Sequence, residues 1–479
     1  MPGNVLKHRE DARTIWQAGL DAVRPEVLLR EALAHQNGSL RPALHQARRV
    51  LVVGAGKAGA AMSAALEELL PELISKMEGI VNVPAELVRP LRAIRLHAAR
   101  PAGTNEPTRE GVEGAEQIIK LLGGAGPDDA AVCLLSGGGS ALLPAPAEGI
   151  SLDDKQQVTR LLHACGATIN EMNCVRKHLS QTKGGRLAQA FKGRTLFSLI
   201  ISDVIGDPLD VIASGPTAAD PTTFFDAFEV LKKYQLEGRV PHSIVNCLKR
   251  GMQGDIPETL KQLPRHVHNQ VIGNNARALQ AAEKTAERLG YRVLNLGSFL
   301  EGETRQVALV HAGILRSIRS NGLPLTPPAC LLSGGETTVT LGNFPGKGGR
   351  NQEFVLASLV KLAQAGSATA RGTGQISPLS SVIGGEGLQD LPAHTPEVSS
   401  AMEDVIILSG GTDGEDGPTD AAGAIADART LERAHSLGLE PGDFLARHDA
   451  YTFFAATGDL LKTGLTQTNV MDVRVLLVL

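Results

Sequence analysis

The chain has 479 residues, of which 42% are hydrophobic and 20% are charged. This length is too great for one compact core, and the ordinary globular composition excludes a chain that is mostly disordered. The 47 Lys and Arg residues against 51 Asp and Glu give a formal net charge of −4, and only 3% of the residues are aromatic. These values exclude the basic, stacking surface that nucleic-acid binding requires.

The first part of the chain alternates short apolar strands with amphipathic helices. We predict strands over 49–53, 80–83, 131–135 and 195–202, separated by helices that end near 70, 122 and 164. This alternation is typical of a parallel sheet that is covered by helices on both faces. Polar, proline-containing sequence over 237–264 indicates a boundary, so we predict a first domain over 1–260.

A second block of strands and helices predicts a smaller α/β domain with a mixed sheet over 261–479. Its predicted strands cover 270–272, 292–296, 330–332, 337–341, 405–408 and 473–479, and its helices include 301–319 and 350–363. The segment 366–400 is rich in Gly, Ser, Thr and Pro. We predict that it is a long flexible insertion without chemistry of its own.

The tripeptide Ser-Gly-Gly occurs three times at the end of an apolar strand, at 136–138, 333–335 and 409–411. Ligands of open parallel sheets lie outside the carboxyl ends of the strands. Backbone N–H groups that no side chain obstructs form anion sites there. The repetition in both halves of the chain therefore predicts an anionic ligand held between two domains.

The turn after the first strand, Gly54-Ala-Gly-Lys-Ala-Gly59, has the glycine spacing of a dinucleotide-binding turn. The alternative is a tight strand-to-helix turn, because Pro84 follows Val83 where an NAD-binding domain places an acidic residue. Lys57 stands where a helix begins and the helix dipole is already positive. A cation there is costly unless it meets a polyanion, so we predict that Lys57 binds a ligand with several negative charges.

Polar groups follow two further strands of the first domain. The segment Ser136-Gly-Gly-Gly-Ser140 lacks the spacing of a P-loop, and it is either a flexible turn or a cradle for a phosphate or carboxylate. Asp203 follows a buried strand. Asp203 is either a base or a carboxylate that faces a metal ion, or it caps a helix or turn. The two readings explain it equally well.

A second cation stands at a predicted helix start in the second domain. Arg350 follows Gly346-Lys-Gly-Gly349 and falls in the first turn of the helix. An anion would remove its conflict with the helix dipole, and the guanidinium fork matches a carboxylate or phosphate. The local alternative is that Glu353 neutralises Arg350.

The Gly-rich loop 409–420 holds several carboxylates, and hard oxygen ligands at a strand end suit Mg²⁺ that is shared with phosphates. We predict Asp413 as its first ligand and Asp416 as its second. The alternative is that Asp416 and Asp420 cap the following turns. The later segment 463–469 is either a source of small donors for a nucleotide or phosphate, or a plain hairpin loop.

Taken in order, these motifs resemble those of the class II glycerate kinases. The matching segments are the turn around Lys57, SGGGSALLPAP (136–146), SDVIGDP (202–208), SGGE (333–336), GKGGRNQE (346–353), SGGTDGEDGPTDAAGA (409–424) and TGLTQTNVMD (463–472). The likeness runs from about residue 45 to the end of the sequence. SGGGSALLPAP and TNVMD are most similar to the animal enzymes.

The resemblance implies both a fold and a reaction. The fold is a Rossmann-like, parallel-sheet N-terminal domain and a smaller C-terminal α/β domain, with the active site in the cleft between them. The reaction is transfer of a phosphoryl group from ATP to D-glycerate with Mg²⁺, giving 2-phosphoglycerate, with 3-phosphoglycerate as the alternative product. The expected partners are D-glycerate and ATP, not nucleic acid or a membrane, and a homodimer is compatible with this reading.

The residues that the family treats as essential match Lys57, Arg350 and Asp413. The resemblance implies that Lys57 lies beside the transferred phosphoryl group and that Arg350 holds the glycerate carboxylate or the γ-phosphate. Asp413 would bind Mg²⁺ or accept the hydroxyl proton, and Asp203 is the second candidate for the proton. The predicted cofactor-binding residues are Gly56, Ser136, Gly137, Gly138, Gly139, Ser140, Ser333, Gly334, Gly335, Glu336 and Asn469.

Two other functions compete with the kinase. An NAD-dependent hydroxypyruvate reductase would use Gly54–Gly59 as a true dinucleotide turn, and a non-enzymatic protein would only bind a small anion.

The five cysteines are widely spaced and favour a reducing compartment. The first residues resemble neither a secretory signal nor a transit peptide. We therefore expect a cytoplasmic location, with a mitochondrial one as the alternative.

Overall fold

The computed structural model describes residues 2–34, 39–101, 106–342, 346–370 and 402–479. These residues form two compact units. The parallel-sheet unit comprises residues 20–278 and 466–471, and the mixed-sheet unit comprises residues 1–19, 279–465 and 472–479.

The parallel-sheet unit is built on six strands in the order β3-β2-β1-β4-β5-β6, with every neighbouring pair parallel. The strands are β1 Val50–Ala55, β2 Met77–Pro84, β3 Ile94–Arg100, β4 Ala130–Leu135, β5 Thr195–Ile201 and β6 Val267–Gly273. Every residue of β1 and β4 is buried, as expected for apolar strands covered on both faces. This order is that of dinucleotide-binding folds, and it confirms the predicted Rossmann-like sheet.

Helices cover this sheet and form a helical layer beside it. They are α2 Pro25–Ala34, α3 Leu40–Gln46, α4 Gly59–Leu69, α5 Arg109–Gly123, α6 Gly139–Leu142, α7 Leu152–Ala164, α8 Ile169–His178, α9 Arg186–Ala190, α10 Phe224–Lys233 and α11 His242–Met252. Ser151 and Asp154 form the capping box that the sequence predicts at the start of α7. Apolar side chains of α7, α8, α10 and α11, among them Val158, Val175 and Phe224, pack into a separate core.

The mixed-sheet unit contains six strands in the order β11-β10-β9-β12-β8-β7. They are β7 Arg292–Asn295, β8 Ala329–Gly335, β9 Val405–Gly411, β10 Gly423–Ala426, β11 Leu460–Leu461 and β12 Asp472–Val478. Only the β7–β8 pair among them is parallel, so the predicted mixed sheet is confirmed. Its helices are α13 Thr304–Asn321, α14 Arg350–Ala370, α15 Ala428–Ser436, α16 Pro441–Ala446 and α17 Ala450–Thr457, while α1 Pro2–Asp21 and α12 Asn275–Arg288 have residues in both units.

Three details differ from the sequence predictions. Strand β6 pairs with β5 in the parallel sheet, so this unit extends past the predicted boundary at residue 260. The predicted strand over 337–341 is absent, because that segment makes only an isolated bridge at Thr338. Of the predicted insertion 366–400, residues 366–370 belong to α14, and residues 371–400 lie outside the described residues. In the described part of the chain, no helix combines the length and apolarity of a membrane span.

Candidate active site

The carboxyl edge of the parallel sheet collects three of the predicted site residues. Lys57 comes two residues after β1, Ser136 follows β4 directly, and Asp203 lies just beyond β5. Parallel neighbouring strands end at the same edge of a sheet, which brings these side chains to one side of the unit. The Lys57 N–H donates to the carbonyl of Gly137 at 2.8 Å, so the two turns are bonded to each other.

Glycines allow these turns to pack closely. Gly56 has φ +146°, and a Cβ at that position would lie 2.1 Å from Ser136 Oγ. The same Oγ accepts a hydrogen bond from the Ala58 N–H at 3.0 Å. A Cβ at Gly54 would likewise lie 2.1 Å from the Leu134 carbonyl oxygen, and one at Gly59 would lie 2.9 Å from Val81 Cγ1. Internal packing therefore explains the glycine spacing of 54–59, as the tight-turn alternative expects.

Asp203 and Asn469 form a hydrogen-bonded pair at this edge. Asn469 Nδ2 donates to Asp203 Oδ2 at 3.2 Å, and Asn469 Oδ1 accepts from the Met471 N–H at 3.2 Å. The segment that carries Asn469 is fixed to the unit, because Asn275 Nδ2 donates to the Val470 carbonyl at 2.7 Å. Asn469, 266 residues from Asp203 in sequence, is thus brought to the predicted base.

The Gly-rich turn 136–140 offers backbone donors, as predicted. The N–H groups of Gly137 and Gly138 have no acceptor among the described residues, whereas the Gly139 N–H donates to the Ser136 carbonyl at 3.1 Å. Gly138 adopts φ 76°, a left-handed conformation that favours glycine. Gly137 and Gly138 can therefore bind an anion through their backbone, and Gly139 is committed to the turn itself.

Two basic residues that the sequence interpretation missed bind the end of this turn. Arg176 donates to Ser140 Oγ at 2.6 Å, and Lys183 donates to the Ser140 carbonyl at 2.8 Å. A signal was present in the sequence, because Lys-Gly-Gly-Arg occurs at 183–186 as well as at 347–350. Only the second copy was interpreted as a site.

Arg350 begins α14 as predicted, but its charge is balanced within the mixed-sheet unit. Its Nε donates to Asp472 Oδ2 at 2.8 Å, and its Nη1 lies 2.9 Å from Glu336 Oε1. Burial opposes the charge, yet the carboxylates of Asp472 and Glu336 raise the pKa of Arg350 above its ordinary value. Glu353, the predicted local partner, pairs instead with Arg305 at 2.6 Å. An external anion is therefore not required to explain Arg350.

Asp416 caps α14. Its Oδ1 accepts from the Asn351 N–H at 2.9 Å, and its Oδ2 accepts from the Gln352 N–H at 2.8 Å. Burial raises the pKa of Asp416 to about 7, although these two N–H groups favour the charged form. Both carboxylate oxygens are thus used by α14, which does not support the predicted metal role of Asp416. Asp416 is a cap, as the alternative holds, but of this earlier helix and not of the turns that follow it.

The second Ser-Gly-Gly lies inside a strand rather than after one. Ser333 is fully buried in β8, and its Oγ bonds His311 Nε2 at 2.9 Å. The Gly334 N–H donates to the Gly297 carbonyl at 2.9 Å. A Cβ at Gly335 would lie 2.3 Å from the Leu300 carbonyl oxygen. These contacts give the three residues structural roles and do not support the predicted anion cradle there.

Comparison with known proteins places these features in a family. A domain of unknown function (DUF4147) matches residues 11–249, and the MOFRL family matches residues 329–377 and 380–472. A glycerate 2-kinase from Pyrococcus horikoshii is 37% identical, over 90% of this chain and 87% of that protein. A glycerate kinase from Bos taurus is 37% identical, over 97% of this chain and 92% of that protein.

The chain belongs to the glycerate kinase family. A crystal structure of glycerate kinase from Thermotoga maritima has a TM-score of 0.80, with 33% sequence identity over 99% of this chain and all of that one. The family assignment confirms the resemblance found in the sequence, and with it the prediction of a kinase. A putative hydroxypyruvate reductase from Agrobacterium vitis is 39% identical, over 100% of this chain and 96% of that protein.

In a kinase of this family, Asp413 is the remaining candidate for Mg²⁺. Its Oδ1 accepts from the Glu415 N–H at 3.2 Å in the loop after β9. Among the described residues there is no group of three or more His, Cys, Asp and Glu side chains that could hold a metal ion alone. Magnesium in phosphoryl transfer is bound by one or two carboxylates together with phosphates, so the carboxylate of Asp413 fits this role. Its metal role stays a prediction.

Proposed function

We propose that this protein transfers the γ-phosphoryl group of ATP to the 2-hydroxyl of D-glycerate, giving 2-phosphoglycerate and ADP. The observation that carries the proposal is the carboxyl edge of the parallel sheet, where Lys57, the Gly-rich turn 136–140 and the Asp203–Asn469 pair come together. The name of the Pyrococcus horikoshii relative, a glycerate 2-kinase, supports phosphorylation of the 2-position.

Catalysis of phosphoryl transfer depends mainly on positioning the reactants and on stabilising negative charge. The hydroxyl oxygen forms a bond to the γ-phosphorus, the bond from that phosphorus to the bridging oxygen breaks, and ADP leaves. Lys57 stabilises the charge on the transferred group, and the N–H groups of Gly137 and Gly138 bind phosphate oxygens. Asp203 accepts the hydroxyl proton, and Asn469 holds its carboxylate in a fixed orientation.

Within the mixed-sheet unit, Arg350 and Asp413 are the candidate ligands for an anion and for Mg²⁺. Glu336 is the more exposed carboxylate on Arg350, with 44% of its side chain accessible, whereas Asp472 is fully buried. A phosphate or carboxylate that binds Arg350 therefore replaces Glu336 and leaves the Asp472 pair intact. Asp413 would hold Mg²⁺, which neutralises phosphate charge when it is bound.

The test is an assay of the purified protein with ATP, Mg²⁺ and D-glycerate. We expect ADP formation that depends on D-glycerate, and ³¹P and ¹³C NMR should show the phosphate on carbon 2. Absence of D-glycerate-dependent ADP would refute the kinase activity, and a phosphate on carbon 3 would refute the assigned position.

The reductase name of the Agrobacterium vitis relative favours a second candidate, the reduction of hydroxypyruvate by NADH. The structure gives this candidate less support, because the side chain of Ser136 packs where a Cβ of Gly56 would lie. Hydroxypyruvate with NADH is expected to give no loss of absorbance at the nicotinamide band. Binding of small anions without any turnover would instead favour the non-enzymatic alternative.

Replacing Gly137 with Ala is expected to lower kcat about 100-fold, because displacement of a reacting group by about 1 Å costs that much. A Cβ at Gly137 would lie 2.3 Å from Asp203 Oδ2 and 2.6 Å from Asn469 Nδ2, so one of these side chains must move. Steady-state kinetics measures the effect. Gly123→Ala is the control, since a Cβ at Gly123 meets no atom within 4 Å. An unchanged kcat for Gly137→Ala would remove the Asp203–Asn469 pair from the mechanism.

A further inference from the structure

A pocket of about 210 Å³ lies beside the Gly-rich turn in the parallel-sheet unit. Its wall is formed by helix α7, by Arg176 of α8, by Lys183 before α9, and by residues of the segments 106–107 and 140–144. The charged and titratable residues that line it are Glu106, Lys155, Arg160, His163, Arg176 and Lys183. Four of these are basic residues and one is acidic, so the wall is predominantly basic.

Lys155 and Lys183 are shielded from water, and neither has a carboxylate partner among the described residues. Lys155 is 7% exposed and Lys183 is 1% exposed. The Nζ of Lys155 is buried and has no hydrogen-bond partner in the described part of the chain. The lone acid, Glu106, is 4.0 Å from Arg160, and both of these side chains are largely exposed. Because an unpaired buried charge is costly, the arrangement points to an anionic ligand.

Burial and the charge of Arg176 lower the pKa values of both Lys155 and Lys183. Burial, and then the charge of Arg176, lowers the pKa of Lys155 to about 7. Burial also lowers the pKa of Lys183 well below its usual value, with further contributions from Arg176 and Lys155. An anion that enters the pocket stabilises the charged forms, so its binding is accompanied by proton uptake.

Ser140 connects the basic wall to the Gly-rich turn. Its Oγ accepts from Arg176 at 2.6 Å and from Lys183 at 2.9 Å. With both lone pairs used, the Ser140 hydroxyl donates its own proton to Ser214 Oγ at 2.9 Å, and Ser214 donates to Asn173 Oδ1 at 3.2 Å. The orientation of the turn is therefore fixed by the same cations that line the pocket.

We propose that this pocket binds the carboxylate of the small hydroxy acid that the protein phosphorylates, with Arg176, Lys155 and Lys183 as its cationic ligands. The inference rests on the proposed function for the identity of the acid. A volume of about 210 Å³ accommodates an acid of a few carbon atoms. Sites for larger ligands usually occupy about 300–1,000 Å³, so this pocket is small for a nucleotide such as ATP.

The position of the pocket suits such a substrate. The Gly-rich turn bonds the pocket cations through Ser140 and packs against Lys57 at Gly138, where a Cβ would lie 3.6 Å from Lys57 Cγ. An acid held by its carboxylate is thus bound next to the turn that we assign to the phosphoryl group. The assignment makes Arg176, Lys155 and Lys183 substrate-binding residues.

Lys155→Met is the decisive variant, because methionine keeps the length and apolar stem of lysine and removes the amine. We expect the KM for D-glycerate to rise about 10- to 100-fold, the usual effect of losing a charged hydrogen bond, with the KM for ATP unchanged. The melting temperature should stay the same or rise, since the variant removes a buried unpaired amine. A structural role for Lys155 predicts the opposite, a lower melting temperature with an unchanged KM.

Proton uptake gives a second readout that a structural role would not move. Isothermal titration of D-glycerate in buffers of different ionisation enthalpy should show protons taken up near pH 7, and the uptake should be smaller in Lys155→Met. Because the pKa of Lys155 is lowered to about 7, affinity should fall as the pH rises through that value. His163 also lines the pocket, so Lys155→Met and His163→Gln are compared separately.

Lys177→Met is the matched control, because Lys177 is a buried lysine of α8 that is paired with Asp210 at 3.0 Å and Asp220 at 3.2 Å. It should lower the melting temperature and leave proton uptake unchanged. Arg176→Lys should raise the KM for D-glycerate in the same direction as Lys155→Met. An unchanged D-glycerate affinity in both pocket variants would overturn the proposal, as would binding of inorganic phosphate in place of D-glycerate. Turnover of the wild-type protein decides the proposed function independently, and titration of D-glycerate alone decides the pocket even without turnover.

Discussion

Replacing Lys57 with Met is expected to lower kcat/KM for D-glycerate phosphorylation by about 100- to 1,000-fold, the usual effect of removing one charge-stabilising donor from a transition state. The turn that carries Lys57 is held by its backbone N–H, which donates to the Gly137 carbonyl at 2.8 Å. Because the substitution leaves this bond in place, we expect the fold to survive. Initial rates and urea denaturation measure activity and folding on the same preparations.

Lys192→Met is the control for this prediction, because Lys192 is exposed and bonds only to the nearby Gln189 carbonyl at 3.1 Å among the described residues. Its kinetics should match those of the unchanged protein. A Lys57→Met protein that folds normally and keeps near-normal kcat/KM would contradict the role of Lys57 at the phosphoryl group. A loss confined to stability would instead assign Lys57 to the turn.

The parallel sheet could be predicted wherever its strands are buried on both faces. Strands β1 and β4 consist of apolar residues and glycine, so local sequence alone identifies them. Strand β6 was placed in the wrong domain because it carries His268, Asn269 and Gln270, and only part of it is buried. Its position at the edge of the sheet allows this polarity, and pairing with β5 assigns it.

The charge balance of Arg350 could not be predicted from its neighbours. The helix dipole indicates that Arg350 needs an anion, and this local argument is sound. The anion is supplied by Asp472, 122 residues away, while Asp416 caps the same helix from 65 residues away. Contacts across such distances follow from the sheet, in which Asp472 pairs with Gly411 of β9 and Gly335 of β8.

The environments of the two Lys-Gly-Gly-Arg segments also could not be predicted from the local sequence. Lys347 is exposed, and its Nζ lies 3.9 Å from the centre of the Tyr451 ring. Lys183 is buried and bonds Ser140 beside the pocket. Identical short sequences therefore have different environments, because burial depends on the elements packed around them. Sequence reasoning could identify both segments as candidates, and only the structure distinguishes them.

Asp472→Asn is expected to lower the free energy of unfolding by about 3–5 kcal/mol, the usual cost of removing one partner from a buried ion pair. Asp472 is fully buried and accepts hydrogen bonds from Arg350 at 2.8 Å, Asn351 at 2.8 Å and Arg474 at 3.3 Å. Arg474 is also fully buried, and its Nε and Nη1 have no hydrogen-bond partner in the described part of the chain. Without Asp472, both guanidinium groups lose their buried counter-charge. Urea denaturation with a linear extrapolation measures the loss.

Asp420→Asn is the matched control, because Asp420 pairs with Lys462 at 2.8 Å while both side chains are more than half exposed. The salt bridge is screened by water, so the free energy of unfolding should change far less than it does for Asp472→Asn. The double variant Asp472→Asn with Arg474→Met should recover part of the lost stability, since it removes one of the two buried cations together with the carboxylate. A stability loss for Asp472→Asn no larger than that for Asp420→Asn would mean that water or another group balances Arg350. In that case the guanidinium is accessible to a ligand, and its role at the phosphate would gain support.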